Sequence, residues 1–388
     1  HTHNHTMQRP GAWLLLTVSG ASGLARLPRR AVLSAPMLAA QSPACSAAAA
    51  AGAAPAAARI RLSTTIVHVQ GVAVPVAVWA PASSRPIGRL TETYTYTVDV
   101  GRIASRLGVG WLSWLPQRNF ELPSAGVTGD RAAPNTARPG DALIFAHGFL
   151  GSPFDMAHIC EALAAAGFVV AAPELPESLS ASYNGIISRG EIVSETRALV
   201  DAARAGPGGR WGIFGHSFGG GTALRQPGDY SLGRAAIGSS LFIPAHNRDP
   251  LFVVASDGDG CTRMMRERGV SVAGQLADAA AAGVPTTIFS TADAAYASGA
   301  TPTALGAILY LEGEADLLPN HISFLWRGTN EAMFELLAPL LPLARALNLF
   351  LLDFDVEIES RLAEPTAAQL MPAVCRFFET NAAAAGRD

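Results

Sequence analysis

The sequence predicts an α/β protein in which a mostly parallel β-sheet carries helices on both faces. Three observations predict it. Short apolar runs recur at Asp141–Ala146, Val169–Pro173, Trp211–Phe214, Pro250–Ala255 and Ala307–Leu311. Helical segments fall between them, near 154–165, 190–204, 217–225 and 261–282. Strands that alternate with helices in this way build a parallel sheet covered on both sides. Finally, Gly215-His216-Ser217-Phe218-Gly219-Gly220 joins a strand run directly to a helix run through a glycine-flanked serine.

Ahead of this core, Thr65–Val69 and Val74–Trp79 are apolar runs, and Tyr94–Val98 alternates as a half-buried strand does. These read as leading antiparallel strands of the sheet. A Pro/Gly-rich loop, 123–140, separates them from the core. One domain is expected over 61–383, with a short tail at 384–388 and no internal repeat.

The serine motif carries the chemistry. A turn from strand to helix this tight leaves no room for side chains beside the serine, which is why glycines flank it. The serine is left exposed at the top of the sheet, within reach of a histidine. An acyl-transfer site also needs an oxyanion hole, an acid and a base, in the chain order Ser, Asp, His. The strand Asp141–Ala146 runs into His147-Gly148-Phe149-Leu150-Gly151-Ser152, so Phe149 is expected to supply one oxyanion N–H and Phe218 the other. Two preset donors of this kind stabilise a tetrahedral anion, each by roughly 3 kcal/mol. The His147 ring itself is expected to brace the loop.

Downstream, Pro250–Ala255 ends in Ser256-Asp257-Gly258-Asp259-Gly260. An acid just past a strand tip can orient an imidazole, and spacing from Pro250 favours Asp259, with Asp257 as the alternative. A calcium loop is excluded, because Cys261 and Arg268 stand where positions five and twelve require ligands. The base is His321, the sole histidine after the acid. His216, inside the turn, should point away from the serine; His68, His158 and His246 sit in no motif. No metal or organic cofactor is called for.

These pieces together resemble the α/β-hydrolase fold, and within it the platelet-activating-factor acetylhydrolase and chlorophyllase branch. The resemblance rests on the His147–Phe149 loop, Ala165–Pro173, the GHSFGG turn and Asn320–Phe324, and spans roughly 140 to 325. Tyr94–Val98 and the tryptophan-containing segment after it are similar to the acetylhydrolases. The family's acid usually follows the strand after the nucleophile helix. Here that strand, Arg234–Gly238, is followed by Ser239-Ser240, which moves the expected acid one strand on, to Asp259. The resemblance implies a serine esterase for a bulky hydrophobic ester, chlorophyll or a lipid, with chlorophyllase as the best match. An acetylhydrolase-like phospholipid esterase is the alternative, and a non-catalytic pigment or lipid carrier the third.

Composition narrows the setting. The 388 residues carry a net charge of −3, which argues against a nucleic-acid surface. Residues 1–6 look like an expression tag, so their histidines are not read as a native metal site. Residues 7–60 hold arginine, serine and alanine and no carboxylate, the composition of a plastid transit peptide. A secretory signal is the alternative. The four cysteines are too few for a disulfide scaffold. In the fold that the chain resembles, the helices bearing Cys160 and Cys375 share a sheet face, which allows a disulfide or two unconnected buried thiols. Two apolar segments stand outside the core pattern, Leu107–Leu115 and the cap or insert at 326–364. Pro339, Pro342, Glu335 and Arg345 argue against a membrane span in the second. It reads equally as a cap able to touch a membrane surface and as core helices beside the sheet.

Overall fold

The computed structural model describes residues 60–123, 140–180, 183, 187–204, 209–239, 247–256, 258–269, 281, 287–289, 307–311, 319–346 and 362–384. The strands are β1 Ile60–Val69, β2 Val72–Pro81, β3 Arg89–Thr91, β4 Thr93–Asp99, β5 Gln117–Pro123, β6 Ala142–Ala146 and β7 Val169–Pro173. They continue as β8 Trp211–His216, β9 Gly233–Ile237, β10 Leu251–Ser256, β11 Thr287–Phe289 and β12 Ala307–Leu311. The helices are α1 Val100–Arg106, α2 Ala157–Ala165, α3 Arg189–Ala203, α4 Phe218–Arg225, α5 Gly260–Glu267, α6 Arg327–Leu337, α7 Leu341–Ala346 and α8 Ala363–Ala384.

Among the described residues ten strands form one sheet, in the order β11-β12-β10-β9-β8-β6-β7-β2-β1-β3. From β7 to β11 every pairing is parallel. β2 joins β7 antiparallel, and β1 and β3 continue that pattern at the edge. This is the sheet of an α/β-hydrolase fold: antiparallel leading strands, then a parallel core with crossover helices.

Side-chain alternation sorts each central strand between two cores. In β6, Leu143 and Phe145 enter the core beneath α2 and α8, with Phe168, Phe377 and Phe378. Ala142, Ile144 and Ala146 enter the opposite core, with Ile192, Val193 and Val200 of α3. β8 divides the same way, Phe214 to the first and Trp211 and Ile213 to the second. Both faces are dry, which is why these strands are apolar throughout rather than alternating. α3 starts where the sequence provides a capping box, in which Ser188 and Glu191 each satisfy the other's backbone N–H.

One expectation is corrected. Tyr94–Val98 is a strand, but it does not join the main sheet. It pairs antiparallel with β5 in a separate hairpin. Tyr94 turns to the α2 core, while Tyr96 and Val98 pack with Leu179, Ile322, Leu325 and Met333. The alternating pattern specifies a strand with one dry face, and that face is covered here by loops and α6 rather than by sheet neighbours. For Cys160 and Cys375 the sequence left open a disulfide and two unconnected buried thiols. α2 and α8 do pack together on one face, yet neither cysteine is in a disulfide. Cys160 is fully enclosed in the core, whereas Cys375 lies at its margin. Burial pushes the Cys375 thiol up to about 12 and holds the Cys160 thiol well above its usual value, so both stay protonated.

Of the 326–364 segment, residues 326–346 are described. α6 buries Ala332 and Met333 against β4, and Glu335 reaches Arg118 of β5 at 2.8 Å. Phe334 and Leu343 remain exposed. No helix among the described residues is long and apolar enough to cross a membrane. Asp257, residues 1–59 and the tail beyond 384 lie outside the described residues.

Candidate active site

Ser217 stands between β8 and α4 with φ 56° and ψ −124°. A non-glycine residue rarely takes this conformation, and it is held here by its surroundings. The Ser217 N–H donates to the Ile237 carbonyl at 2.9 Å, and the Ser217 carbonyl accepts from the Gly220 N–H at 3.0 Å. The flanking glycines are required sterically. A Cβ on Gly215 would lie 2.2 Å from the Gly219 carbonyl oxygen, and one on Gly219 would lie 1.8 Å from that of Ala146. Behind the turn, buried Arg234 donates to the Ala223 and Gln226 carbonyls at 3.0 and 2.7 Å and pairs with Asp249 at 2.6 Å. It thereby ties the C-terminal end of α4 to β9, satisfying carbonyls that the helix itself leaves open.

The loop after β6 passes directly over the serine. A Cβ built on Gly148 would lie 3.1 Å from Ser217 Cβ and 3.6 Å from its Oγ. Phe149 follows, exposed, and Phe218 opens α4. Both residues expected to provide oxyanion amides therefore flank the serine. His147 braces this loop. Its Nε2 accepts from the Leu175 N–H at 2.8 Å, which leaves Nδ1 to donate to the Gly148 carbonyl at 2.8 Å. Burial, with Arg189 nearby, pushes its pKa down to about 3, so the ring is neutral.

β10 leads into the loop that carries the expected acid. Asp259 is fully buried, and its Oδ1 accepts from His321 Nδ1 at 2.8 Å and from the Cys261 N–H at 2.9 Å. Its Oδ2 accepts from Thr262 Oγ1 at 3.3 Å. Burial alone would raise this carboxyl; His321 and the Cys261 amide outweigh it, and the net shift is downward. An ionised Asp259 fixes the proton of neutral His321 on Nδ1 and leaves Nε2 as the basic atom. His321 itself opens a short 3₁₀ turn, Ile322–Phe324, closed by Asn320 Oδ1 accepting from the Ser323 N–H at 2.9 Å. Asn330 of α6 donates to the Ile322 carbonyl at 3.0 Å, fastening this turn from above.

Sequence reasoning missed three supports. His216 packs against His321. Its Nε2 donates to the His321 carbonyl at 3.0 Å, and the two rings are 4.6 Å apart. Burial, with His321 close by, drops His216 to about 3, so no second cation competes there. Arg189 spans the site's other side. It donates to the His147 carbonyl, to Thr222 Oγ1 at 2.8 Å and to Glu177 at 2.8 Å, with its guanidinium 4.7 Å over the Phe218 ring. One side chain thus couples the loop after β6 to the start of α4.

The third support is Asp155. Its Oδ2 accepts from the Ser152 N–H at 3.0 Å, closing the loop after β6, and its carbonyl accepts from the Trp326 N–H at 2.7 Å, joining that loop to the segment after His321. Among the described residues its Oδ1 has no hydrogen-bond partner, nor has the nearby buried Tyr96 hydroxyl. Burial, partly offset by the Ser152 N–H, raises Asp155 to about 7. Between the unfolded value and about 7 the folded state keeps a proton that the unfolded chain has released. Stability therefore falls as pH rises through this window, by up to about 4 kcal/mol, and is level above it. Asp155→Asn is expected to be more stable than the parent at pH 8 by most of that amount, and close to it at pH 4. Urea unfolding at the two pH values measures the difference; equal gaps at both would refute the assignment.

No family model matches the chain, and no curated protein matches it. Among solved structures it is similar to a ferulic acid esterase from Streptomyces cinnamoneus, at 17% identity over 86% of this chain and 92% of that one, TM-score 0.44. It is also similar to an α/β hydrolase enzyme from a Medee basin deep-sea metagenome library, at 10% identity over 83% and 98%, TM-score 0.40. A third is a dienelactone hydrolase from Anabaena variabilis, at 12% identity over 68% and 89%, TM-score 0.33. The α/β-hydrolase fold stands on the sheet order and the serine turn themselves.

Proposed function

We propose that the chain is a serine carboxylic-ester hydrolase acting on a bulky hydrophobic ester. The observation that carries this reading is the 2.8 Å contact between Asp259 and His321, formed beside a serine held at φ 56°. In the proposed cycle His321 Nε2 takes the Ser217 Oγ proton as Oγ attacks the ester carbonyl. Asp259 stabilises the resulting imidazolium, and the Phe149 and Phe218 amides hold the oxyanion. The imidazolium then protonates the leaving alcohol, and a water activated by His321 clears the acyl-enzyme.

The finer reading is a chlorophyllase, which cleaves the phytyl ester of chlorophyll to chlorophyllide and phytol. It is supported by the motif resemblance, by the transit-like composition of residues 7–60, which favours a plastid, and by exposed Trp111, Trp114 and Phe149, which favour contact with a membrane surface. The β4 segment and the tryptophan-containing stretch that follows favour a second reading, an acetylhydrolase-like phospholipid esterase. The test is incubation with detergent-solubilised chlorophyll a and, separately, a short-acyl phospholipid, followed by chromatography of the products. Chlorophyllide with little phospholipid cleavage is expected. Phospholipid cleavage alone moves the protein to the acetylhydrolase reading. Turnover of neither, with no labelling of Ser217 by a phosphonate, leaves the carrier.

A further inference from the structure

Asp259, Cys261 and His321 are each buried, and one ligating atom from each falls within 4.8 Å of the others. The sequence arranges this locally. Asp259 precedes α5 and Cys261 lies in its first turn, so carboxylate and thiol share one side of the loop, while His321 arrives from the segment after β12. Carboxylate, imidazole and thiolate are a zinc set: three protein ligands leave a fourth position for water. A carboxylate and a thiolate also cancel the charge of a dication, which matters in a dry site.

We propose that these three side chains form a binding site for Zn²⁺ and that the metal switches the enzyme off. Zn²⁺ bonds to Asp259, to Cys261 Sγ and to His321 Nδ1. The Cys261 thiol releases its proton to solvent. The imidazole stays neutral, its single proton passing from Nδ1 to Nε2. Nε2 then carries hydrogen and has no lone pair with which to take the Ser217 proton. The binding site stands apart from the hydrolase reading; the inhibition rests on it.

The full chain, Cys261→Ser, Cys261→Ala and Cys160→Ser are titrated with Co²⁺ and then Zn²⁺. The N-terminal histidines, His1, His3 and His5, are present in all four and cancel in the comparison. The parent and Cys160→Ser are expected to develop a thiolate-to-cobalt charge-transfer band that Zn²⁺ bleaches. Both Cys261 variants should lack the band and bind Zn²⁺ at this site at least about tenfold more weakly, since losing a ligand costs no less than losing a group that merely orients one. Zn²⁺ should also slow phosphonate labelling of Ser217 in the parent and not in the Cys261 variants, each measured against its own metal-free rate. No band in the parent, or the same band in the Cys261 variants, overturns the site. A band together with labelling that Zn²⁺ leaves unchanged overturns the switch. A band in a parent that the phosphonate never labels keeps the metal site and removes the hydrolase reading.

Discussion

Ser217→Ala is expected to lower kcat/KM for the hydrolysed ester by about 10⁶-fold, the scale on which loss of a nucleophile acts when its base and oxyanion donors remain. It should also abolish covalent labelling by a phosphonate, read by mass spectrometry of the peptide containing residue 217. The fold should be indifferent to this change. The turn is set by Gly215, by Gly219 and by the hydrogen bonds of the backbone at 217, none of which involves the hydroxyl. Alanine inherits the same φ of 56°, so the strain persists and the unfolding midpoint should match the parent. Ser217→Gly separates strain from chemistry. It loses the nucleophile too, but relaxes the backbone, and should gain about 1 kcal/mol of stability. A parent and a Ser217→Ala variant with equal turnover would place the chemistry elsewhere.

What could be read from the sequence divides by the range of the signal. The serine turn is local: glycines at 215 and 219 are demanded by backbone atoms within a few residues or on the adjoining strand, so the six-residue motif carries its own explanation. The central strands were equally legible, since burial on both faces makes them apolar throughout. Asp259 and His321 lie 62 residues apart and were found through chain order and the scarcity of histidines, not through any pattern that brings them together. Where no such bookkeeping exists, sequence reasoning stops. Arg189 reaches a carbonyl 42 residues away, and His216 one 105 residues away. Nothing in either neighbourhood marks it as a support. Tyr94–Val98 shows the same limit in a strand, where alternation reports that one face is dry but not which neighbour covers it.

The acid is the member of the site that the sequence places least directly, and Asp259→Asn decides it. Asparagine keeps the volume and can still accept from the Cys261 N–H, so the site should stay assembled. It no longer compels His321 to donate from Nδ1. An amide nitrogen facing the ring holds the imidazole in the wrong tautomer, with hydrogen on Nε2 and no lone pair toward the serine. A loss of about 10⁴-fold in kcat is expected, with KM little changed, because Asp259 is buried and touches His321 rather than substrate. Asp257→Asn, made in parallel, should leave kcat near the parent value. A larger loss at 257 than at 259 would transfer the role to Asp257. The two carboxylates differ in sequence position by a single glycine between them, yet the structure sets Asp259 in full burial against the imidazole. Because its carboxyl is held below the ordinary range, the charge beside His321 is retained at pH values where an ordinary aspartate would take up its proton.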